Sequence, residues 1–275
     1  MGKKLVCDNF ADAFAFRAAI TSRPNNHSGE DKSKTADFDF AGMPYEAAYK
    51  ALTDSIPEAA DKLKRELTRF KAAKSGTLTQ RRPINYYNGH SPNVPAAIIG
   101  LPKSMRKVIK SPTKTKTITL FYNSSANCNI TAETLEKCGA AVLQLVYWLE
   151  MNGYRVKLLL NPYLAEHTRE TACCNILLKD FRQPLDILKL SFSLTSVSMF
   201  RRLGFRWIET APGAKDNWRS GYGHQIMNKR EALETIGKSG QDTRNAYFIM
   251  VSDCTSADFD AVKLAANLGI KVGES

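Results

Sequence analysis

The second half of the chain alternates between strand patterns and helix patterns, and this alternation restricts the fold more than any other feature. Residues 116–123 (KTITLFYN) are rich in β-branched and aromatic side chains and predict a strand. Thr131 then caps a predicted helix with apolar residues at helical spacing, which Asn152 and Gly153 end. Residues 154–160 predict the next strand. A strand, a helix and a strand in this order predict a βαβ unit, and therefore a parallel sheet.

Further segments continue this alternation towards residue 275. We expect strands at residues 173–178, 205–209, 245–252 and 270–272, and helices over residues 185–203 and 257–268. The pattern predicts an α/β fold with a doubly wound, mostly parallel Rossmannoid sheet over residues 116–275. Residues 1–115 are predicted to form a helical and irregular extension, which includes an amphipathic helix that begins near Ser55.

Positive charge is concentrated in one part of the chain. The formal net charge is +12, and residues 61–118 hold 14 basic and 2 acidic side chains, so this segment alone accounts for the excess. A local excess of this kind indicates a polyanionic partner, most often nucleic acid. The alternative is a solvated basic face that only keeps the protein in solution.

Two parts of this segment predict contacts with nucleic acid. One is the charged face of the helix near Ser55, and the other is an irregular arm over residues 75–116, where Tyr86 and Tyr87 lie among basic residues. Cations neutralise phosphates and aromatic rings stack on bases, so the combination suits a single strand or a phosphate backbone. Alternatively, the tyrosines pin the arm to the domain. The predicted contact residues are Lys62, Lys64, Arg65, Arg69, Lys71, Lys74, Arg81, Arg82, Lys103, Arg106, Lys107 and Lys110.

Several classes of function lack their sequence signals. No two cysteines have Cys-x-x-Cys spacing and the four histidines are far apart, which argues against a zinc finger. Neither a P-loop nor a Gly-x-Ser-x-Gly motif is present, and the glycines of residues 221–224 lack dinucleotide-binding spacing. No apolar stretch approaches the ~20 residues of a membrane span, and residues 1–8 lack the pattern of a secretion signal. We therefore expect a cytoplasmic protein without a membrane partner.

The ends of two predicted strands resemble the von Willebrand factor A-type domain. Residues 123–127 read Asn-Ser-Ser-Ala-Asn where that family has Asp-x-Ser-x-Ser, and Asp253 follows a later strand. Thr195 or Ser196 stands where a loop threonine of the family would lie. The resemblance implies a Mg²⁺ site formed by Asn123, Ser125, Asn127, Thr195 and Asp253. Because only Asp253 supplies a carboxylate, it implies a degenerate site with no cofactor, or at most a weakly held Mg²⁺.

Three phrases also resemble an uncharacterised group of bacteriophage-encoded proteins. They are residues 94–105 (VPAAIIGLPKSM), 153–160 (GYRVKLLL) and 200–207 (FRRLGFRW). This resemblance implies a phage origin and a place in the host cytoplasm, and it leaves association with the virion open. The arginines of the third phrase either extend the basic surface or cap the C-terminal end of the preceding helix.

Charge and resemblance together predict a non-catalytic phage accessory protein that binds a macromolecular partner. Nucleic acid is the favoured partner, through residues 61–118. Two alternatives remain at this point, namely a protein–protein adaptor that uses the strand-end loops and a metal-dependent enzyme with a degenerate site.

Overall fold

A computed structural model describes residues 3–26, 31–54, 56–74, 83–89, 91–108, 116–125, 130–167, 169–214, 222 and 224–270. Over these residues the chain forms a mixed α/β fold around a mostly parallel central sheet. In chain order the elements are β1 (Lys4–Phe10), α1 (Ala13–Ser22), a 3₁₀ turn (Lys32–Lys34), α2 (Phe38–Ala41), α3 (Tyr45–Asp54), α4 (Pro57–Lys74), β2 (Pro83–Tyr86), β3 (Ser91–Pro92), α5 (Val94–Ile98), β4 (Met105–Val108), β5 (Lys116–Asn123), α6 (Ala132–Met151), β6 (Tyr154–Glu166), β7 (Glu170–Lys179), α7 (Ile187–Thr195), a π-helical turn (Met199–Gly204), α8 (Phe205–Thr210), β8 (His224–Gln225), α9 (Lys229–Lys238), β9 (Ala246–Ile249), α10 (Val251–Ser256) and α11 (Ala261–Asn267).

The predicted βαβ unit is confirmed as β5, α6 and β6. Strands β5 and β6 are parallel, with Lys116 opposite Tyr154. Thr131 caps α6 by accepting a hydrogen bond from the Thr134 N–H at 3.2 Å, and the apolar face of α6 is buried in the core. Gly153 follows the helix with φ of +84°, a conformation that glycine adopts without steric strain.

The central sheet has the strand order β1-β7-β6-β5-β9, and β8 pairs with β6 outside this path. The β5–β6, β5–β9 and β1–β7 pairs are parallel, whereas β6 and β7 are antiparallel. The strand expected at residues 173–178 is therefore confirmed as β7, but it runs antiparallel to β6 and does not continue the βαβ alternation. Only residues 167–169 connect β6 to β7, and so short a connection permits a hairpin but no crossover helix.

The N-terminal residues belong to the same core and do not form a separate extension in the described structure. Strand β1 pairs with β7, with Lys4 opposite Glu170. Phe16 of α1 and Leu63 of α4 are buried in the cluster that also contains the apolar face of α6. Strand β1 could not be recognised from the sequence, because its partner β7 lies 166 residues further along the chain and no local pattern marks such a pairing.

The structure corrects three expectations in the second half. Residues 205–209 were expected to form a strand, but helix α8 continues there directly from the π-helical turn. The helix expected over residues 257–268 begins only at Ala261, as α11, because Asp258 and Phe259 have φ of +53° and +55°, and α10 lies before that range. Ile270, where the last strand was expected to begin, lies in no strand, and residues 271–275 are outside the described residues.

The arm over residues 75–116 is more regular than its sequence predicts. Strands β2, β4 and β3 form a three-stranded antiparallel sheet, and the short helix α5 lies in the connection from β3 to β4. We call the described residues 83–89 and 91–108 the basic sheet. No helix among the described residues is both long enough and apolar enough to span a membrane.

Candidate nucleic-acid-binding surface and strand-end cleft

The end of β5 forms a turn closed by its own polar side chains. Asn123 is completely buried, and its Oδ1 accepts hydrogen bonds from the N–H of Ser125 at 2.8 Å and from the Ser125 hydroxyl. The Asn123 amide nitrogen has no hydrogen-bond partner among the described residues. Two of the predicted metal ligands, the Asn123 amide oxygen and the Ser125 hydroxyl, are thus already hydrogen-bonded to each other.

Asp253 lies just after the strand beside β5. Strands β5 and β9 are adjacent and parallel, with Tyr122 opposite Ile249, so their carboxyl ends lie side by side. The Asp253 carboxylate accepts a hydrogen bond from the Met250 N–H at 2.9 Å and forms an ion pair with Lys229 Nζ at 2.6 Å. The Lys229 ammonium therefore supplies the positive charge that a metal ion would otherwise provide.

The remaining predicted ligands do not complete a metal site. The Thr195 hydroxyl donates to the Ser191 carbonyl at 2.7 Å within α7, and Thr195 lines a groove between α4 and α6. Asn127 lies outside the described residues. Among the residues that the structure describes, no group of three or more His, Cys, Asp or Glu side chains is arranged to hold a metal.

We expect the thermal midpoint of the wild-type protein to be the same in Mg²⁺ and in EDTA, because Lys229 already neutralises Asp253. A site that held Mg²⁺ at about 100 times its Kd would instead add about 2.7 kcal/mol to the stability. The matched variant combines Asn123→Asp with Lys229→Met, which provides two carboxylates and removes the ammonium, so that its midpoint should rise with Mg²⁺. A fall in the wild-type midpoint on addition of EDTA would contradict this expectation.

A cleft of about 740 Å³ lies at the carboxyl ends of β5 and β9. We call it the strand-end cleft. Aromatic rings form much of its lining, and Phe205 packs against Phe200 and Tyr222 with ring centroids 5.0 and 4.8 Å apart. Gln225 fixes one wall by donating to the Ser125 carbonyl at 2.9 Å. Apolar clefts at this position of an α/β sheet are common ligand-binding sites.

Buried arginines hold one side of this cleft in place. Arg202 is 1% exposed and donates to the carbonyls of Ser33, Thr35 and Met43 at 3.1, 2.6 and 3.0 Å. Arg201 is also buried and donates to the carbonyl of Phe40, whose ring lines the cleft. Both sequence interpretations of these two arginines were wrong, because each anchors a segment distant in sequence and neither is on the surface.

Glu209 completes this buried network. Its carboxylate accepts hydrogen bonds from the Ser33 N–H and hydroxyl at 3.0 and 2.5 Å, and from the Tyr222 hydroxyl at 2.5 Å. Burial raises the pKa of Glu209 above its ordinary value, and the hydrogen bonds from Ser33 and Tyr222 oppose that rise. Tyr222 therefore reaches the cleft from a fixed position.

The exposed face of α4 carries many cations, but carboxylates of the same chain neutralise several of them. Lys64 pairs with Asp61 at 3.1 Å and Arg69 with Glu66 at 2.8 Å. Lys62 forms an ion pair with Glu136. The opposite face is buried as predicted, through Ala60, Leu63, Leu67 and Phe70. The net positive potential of α4 is therefore lower than its count of basic residues indicates.

The basic sheet presents cations beside exposed rings. Tyr87 is 65% exposed and Tyr86 is 37% exposed. Lys103 Nζ lies 5.6 Å from the centre of the Tyr87 ring, and Lys107 Nζ lies 5.0 Å from that of Tyr86. Arg106 of β4 is also exposed, and it points to the opposite face of the sheet from Lys107 because successive side chains alternate along a strand. Lys103 and Lys107 thus lie beside the two aromatic rings, and Arg106 adds a further exposed cation on the same short strand as Lys107.

This surface has no carboxylate of its own to neutralise it. The sequence contains neither aspartate nor glutamate between Glu66 and Glu133. A Cβ atom at Gly89 would lie 2.1 Å from the Arg106 carbonyl oxygen, so glycine is required for the turn to close against β4. Of the other predicted contacts, Arg65 and Lys71 are exposed on α4, while the side chain of Lys74 and the residues Arg81, Arg82 and Lys110 lie outside the description.

The sequence does not reveal that Lys229 pairs with Asp253 at the predicted metal site, or that Glu209 binds Ser33 beside the strand-end cleft. Nothing local connects Lys229 with Asp253, or Glu209 with Ser33, since each pair is brought together only by the tertiary fold.

Neither the curated proteins nor the solved structures contain a match to this chain. A family model described as a domain of unknown function (DUF7192) matches residues 3–271. This match covers almost the entire α/β fold described above, and the chain therefore belongs to the DUF7192 family.

Proposed function

We propose that the chain is a phage accessory protein that binds nucleic acid without catalysis, mainly through the basic sheet. The observation that supports this proposal best is the pair of exposed tyrosines, each accompanied by a lysine, on a segment whose sequence contains no aspartate or glutamate. The phage origin rests on the three sequence phrases at residues 94–105, 153–160 and 200–207. On this reading the protein works in the host cytoplasm.

The chemistry of the surface favours contact with phosphates and bases together. Lys103 and Arg106 are exposed and can neutralise phosphates, which releases condensed counterions. Stacking of a base on an exposed ring such as that of Tyr87 is worth about 1–3 kcal/mol and tolerates any sequence. We therefore propose that binding depends on salt and shows little sequence preference.

A second candidate function is protein–protein adaptation through the strand-end cleft. The observation in its favour is the aromatic lining, held by the buried network of Arg202 and Glu209. The strand-end loops that this candidate uses are the ones that resemble the von Willebrand factor A-type domain. The β5–α6–β6 unit and the position of Asp253 beside β5 support that resemblance. The third reading, a metal-dependent enzyme, is weakened by the ion pair between Lys229 and Asp253.

Wild-type protein is expected to bind single-stranded DNA and RNA with an affinity that falls linearly with log salt. Four to six phosphate contacts on a single strand give a slope of roughly −3 to −4, and removing two contacts should reduce its magnitude by about 1.4. We therefore expect Lys103→Glu with Arg106→Glu to weaken binding strongly and flatten the slope. Tyr87→Ala should weaken binding by roughly tenfold and leave the slope unchanged. Fluorescence anisotropy across a salt series measures all of these quantities.

The matched control is Lys238→Glu with Lys263→Glu, which makes the same change in net charge at exposed positions outside the basic sheet. This control should bind nearly as well as the wild type. Lys64→Glu with Arg65→Glu on α4 should have an intermediate effect, because Lys64 is already paired with Asp61. The proposal is wrong if wild-type protein does not bind at ~50 mM salt, or if the control pair at Lys238 and Lys263 weakens binding as much as the pair at Lys103 and Arg106.

A further inference from the structure

The basic sheet also carries the most exposed aliphatic side chains in the described part of the protein. Ile98 is 79% exposed and Ile99 is 71% exposed, and Val94 and Leu101 are 55% and 49% exposed. We call these four residues the apolar tip. Large apolar side chains grouped on a surface usually mark a place that another molecule covers.

The backbone holds the apolar tip in one conformation. Gly100 has φ of +71°, its N–H donates to the Ala97 carbonyl at 3.1 Å, and the Leu101 N–H donates to the Ala96 carbonyl at 2.9 Å. These two bonds form a Schellman motif that ends α5. The Asn93 N–H donates to the Ser104 carbonyl at 2.7 Å and closes the base of the loop. The isoleucines are therefore exposed by a formed turn and not by fraying of the helix.

Charge indicates what covers the tip. Lys103 and Arg106 are exposed immediately after it, and the sequence contains no carboxylate between Glu66 and Glu133. The complementary molecule must present negative charges beside an apolar region. Nucleic acid has this character, because its phosphates flank stacked bases. Proteins that bend or open nucleic acid commonly insert Ile, Leu or similar side chains between base steps.

We propose that Ile98 and Ile99 act as a wedge between adjacent bases while Lys103 and Arg106 hold the flanking phosphates. This inference rests on the proposed function and narrows its substrate class to nucleic acid that is easily unstacked, such as a mismatched or partly unpaired duplex. The cost of unstacking is lowest at such sites, which makes them the preferred targets. Tyr86 and Tyr87 lie on the same sheet and offer stacking surfaces to bases displaced by the wedge.

The experiment uses the full chain and two 2-aminopurine duplexes, one fully paired and one with a mismatch beside the probe. Wild-type protein should raise the fluorescence of the mismatched duplex and bind it more tightly than the paired one. Ile98→Ser with Ile99→Ser should abolish the fluorescence rise and weaken mismatch binding by roughly tenfold, with an unchanged salt slope. The control Met151→Ser with Leu188→Ser alters exposed apolar residues outside the basic sheet and should behave as wild type.

The outcomes separate the wedge from the proposed function. Salt-dependent binding without any fluorescence rise would overturn the wedge and leave nucleic-acid binding intact. Failure to bind any DNA or RNA would overturn both. If, in addition, the protein sedimented with vesicles of phosphatidylserine and phosphatidylcholine only when Ile98 and Ile99 were present, the tip would be a membrane contact. Circular dichroism of each variant checks that these exposed substitutions leave the fold unchanged.

Discussion

Replacing Arg202 by methionine is expected to lower the free energy of unfolding by about 3–5 kcal/mol. Methionine keeps an unbranched apolar stem, but it is shorter than arginine and donates no hydrogen bond. The carbonyls of Ser33, Thr35 and Met43 would then lose the guanidinium that binds all three. Because Arg202 is 1% exposed, water cannot replace these bonds without opening the core.

Urea denaturation followed by tryptophan fluorescence measures this loss. Trp207 is a suitable probe, since it is fully buried and donates to the Asp8 carboxylate at 2.8 Å. Arg202→Lys should recover part of the stability, because an ammonium keeps the charge but not the planar arrangement of donors. Arg182→Met, at an exposed position, should change stability by no more than ~0.5 kcal/mol. A loss within that same range for Arg202→Met would show that the network is not stabilising.

Replacing Gly139 by valine is expected to cost about 3 kcal/mol or more. A Cβ atom at this position would lie 2.4 Å from the Leu194 carbonyl oxygen and 2.9 Å from Thr195 Cγ2. The nearest obstacle is backbone, so a change of side-chain rotamer cannot relieve the clash. Helices α6 and α7 would have to move apart, and Val142 and Leu194 of the central core would lose contacts.

The matched control is Gly237→Ala in α9, where the nearest atom is the Thr243 hydroxyl oxygen at 3.5 Å. Alanine favours a helix by about 0.5–1 kcal/mol over glycine, so this variant should be slightly more stable than the wild type. Thermal and urea denaturation of both variants test the contrast. Equal stability of Gly139→Val and the wild type would mean that α6 and α7 do not approach as closely as described.

The sequence by itself determined the elements whose signals are local. The βαβ unit of β5, α6 and β6 is visible because apolar residues recur along each element and Thr131 and Gly153 mark the helix ends. The buried face of α4 follows from the same periodicity. The concentration of charge in residues 61–118 is likewise a property of composition alone. These features depend only on residues close together in the chain, so they can be recognised from the sequence alone.

Only the tertiary structure decided which distant groups meet. It placed β1 beside β7, reversed the direction of β7 relative to β6, and put Lys229 against the carboxylate of Asp253. It also buried Arg202 against carbonyls about 160 residues earlier in the chain. Each of these pairings depends on the free energy of the whole packed core. Burying a charge or an unpaired strand edge costs free energy unless hydrogen-bonding or ionic partners are present, and the fold alone supplies those partners. No residue type or spacing encodes such a partner locally, so the identity of the cation beside Asp253 became known only with the fold.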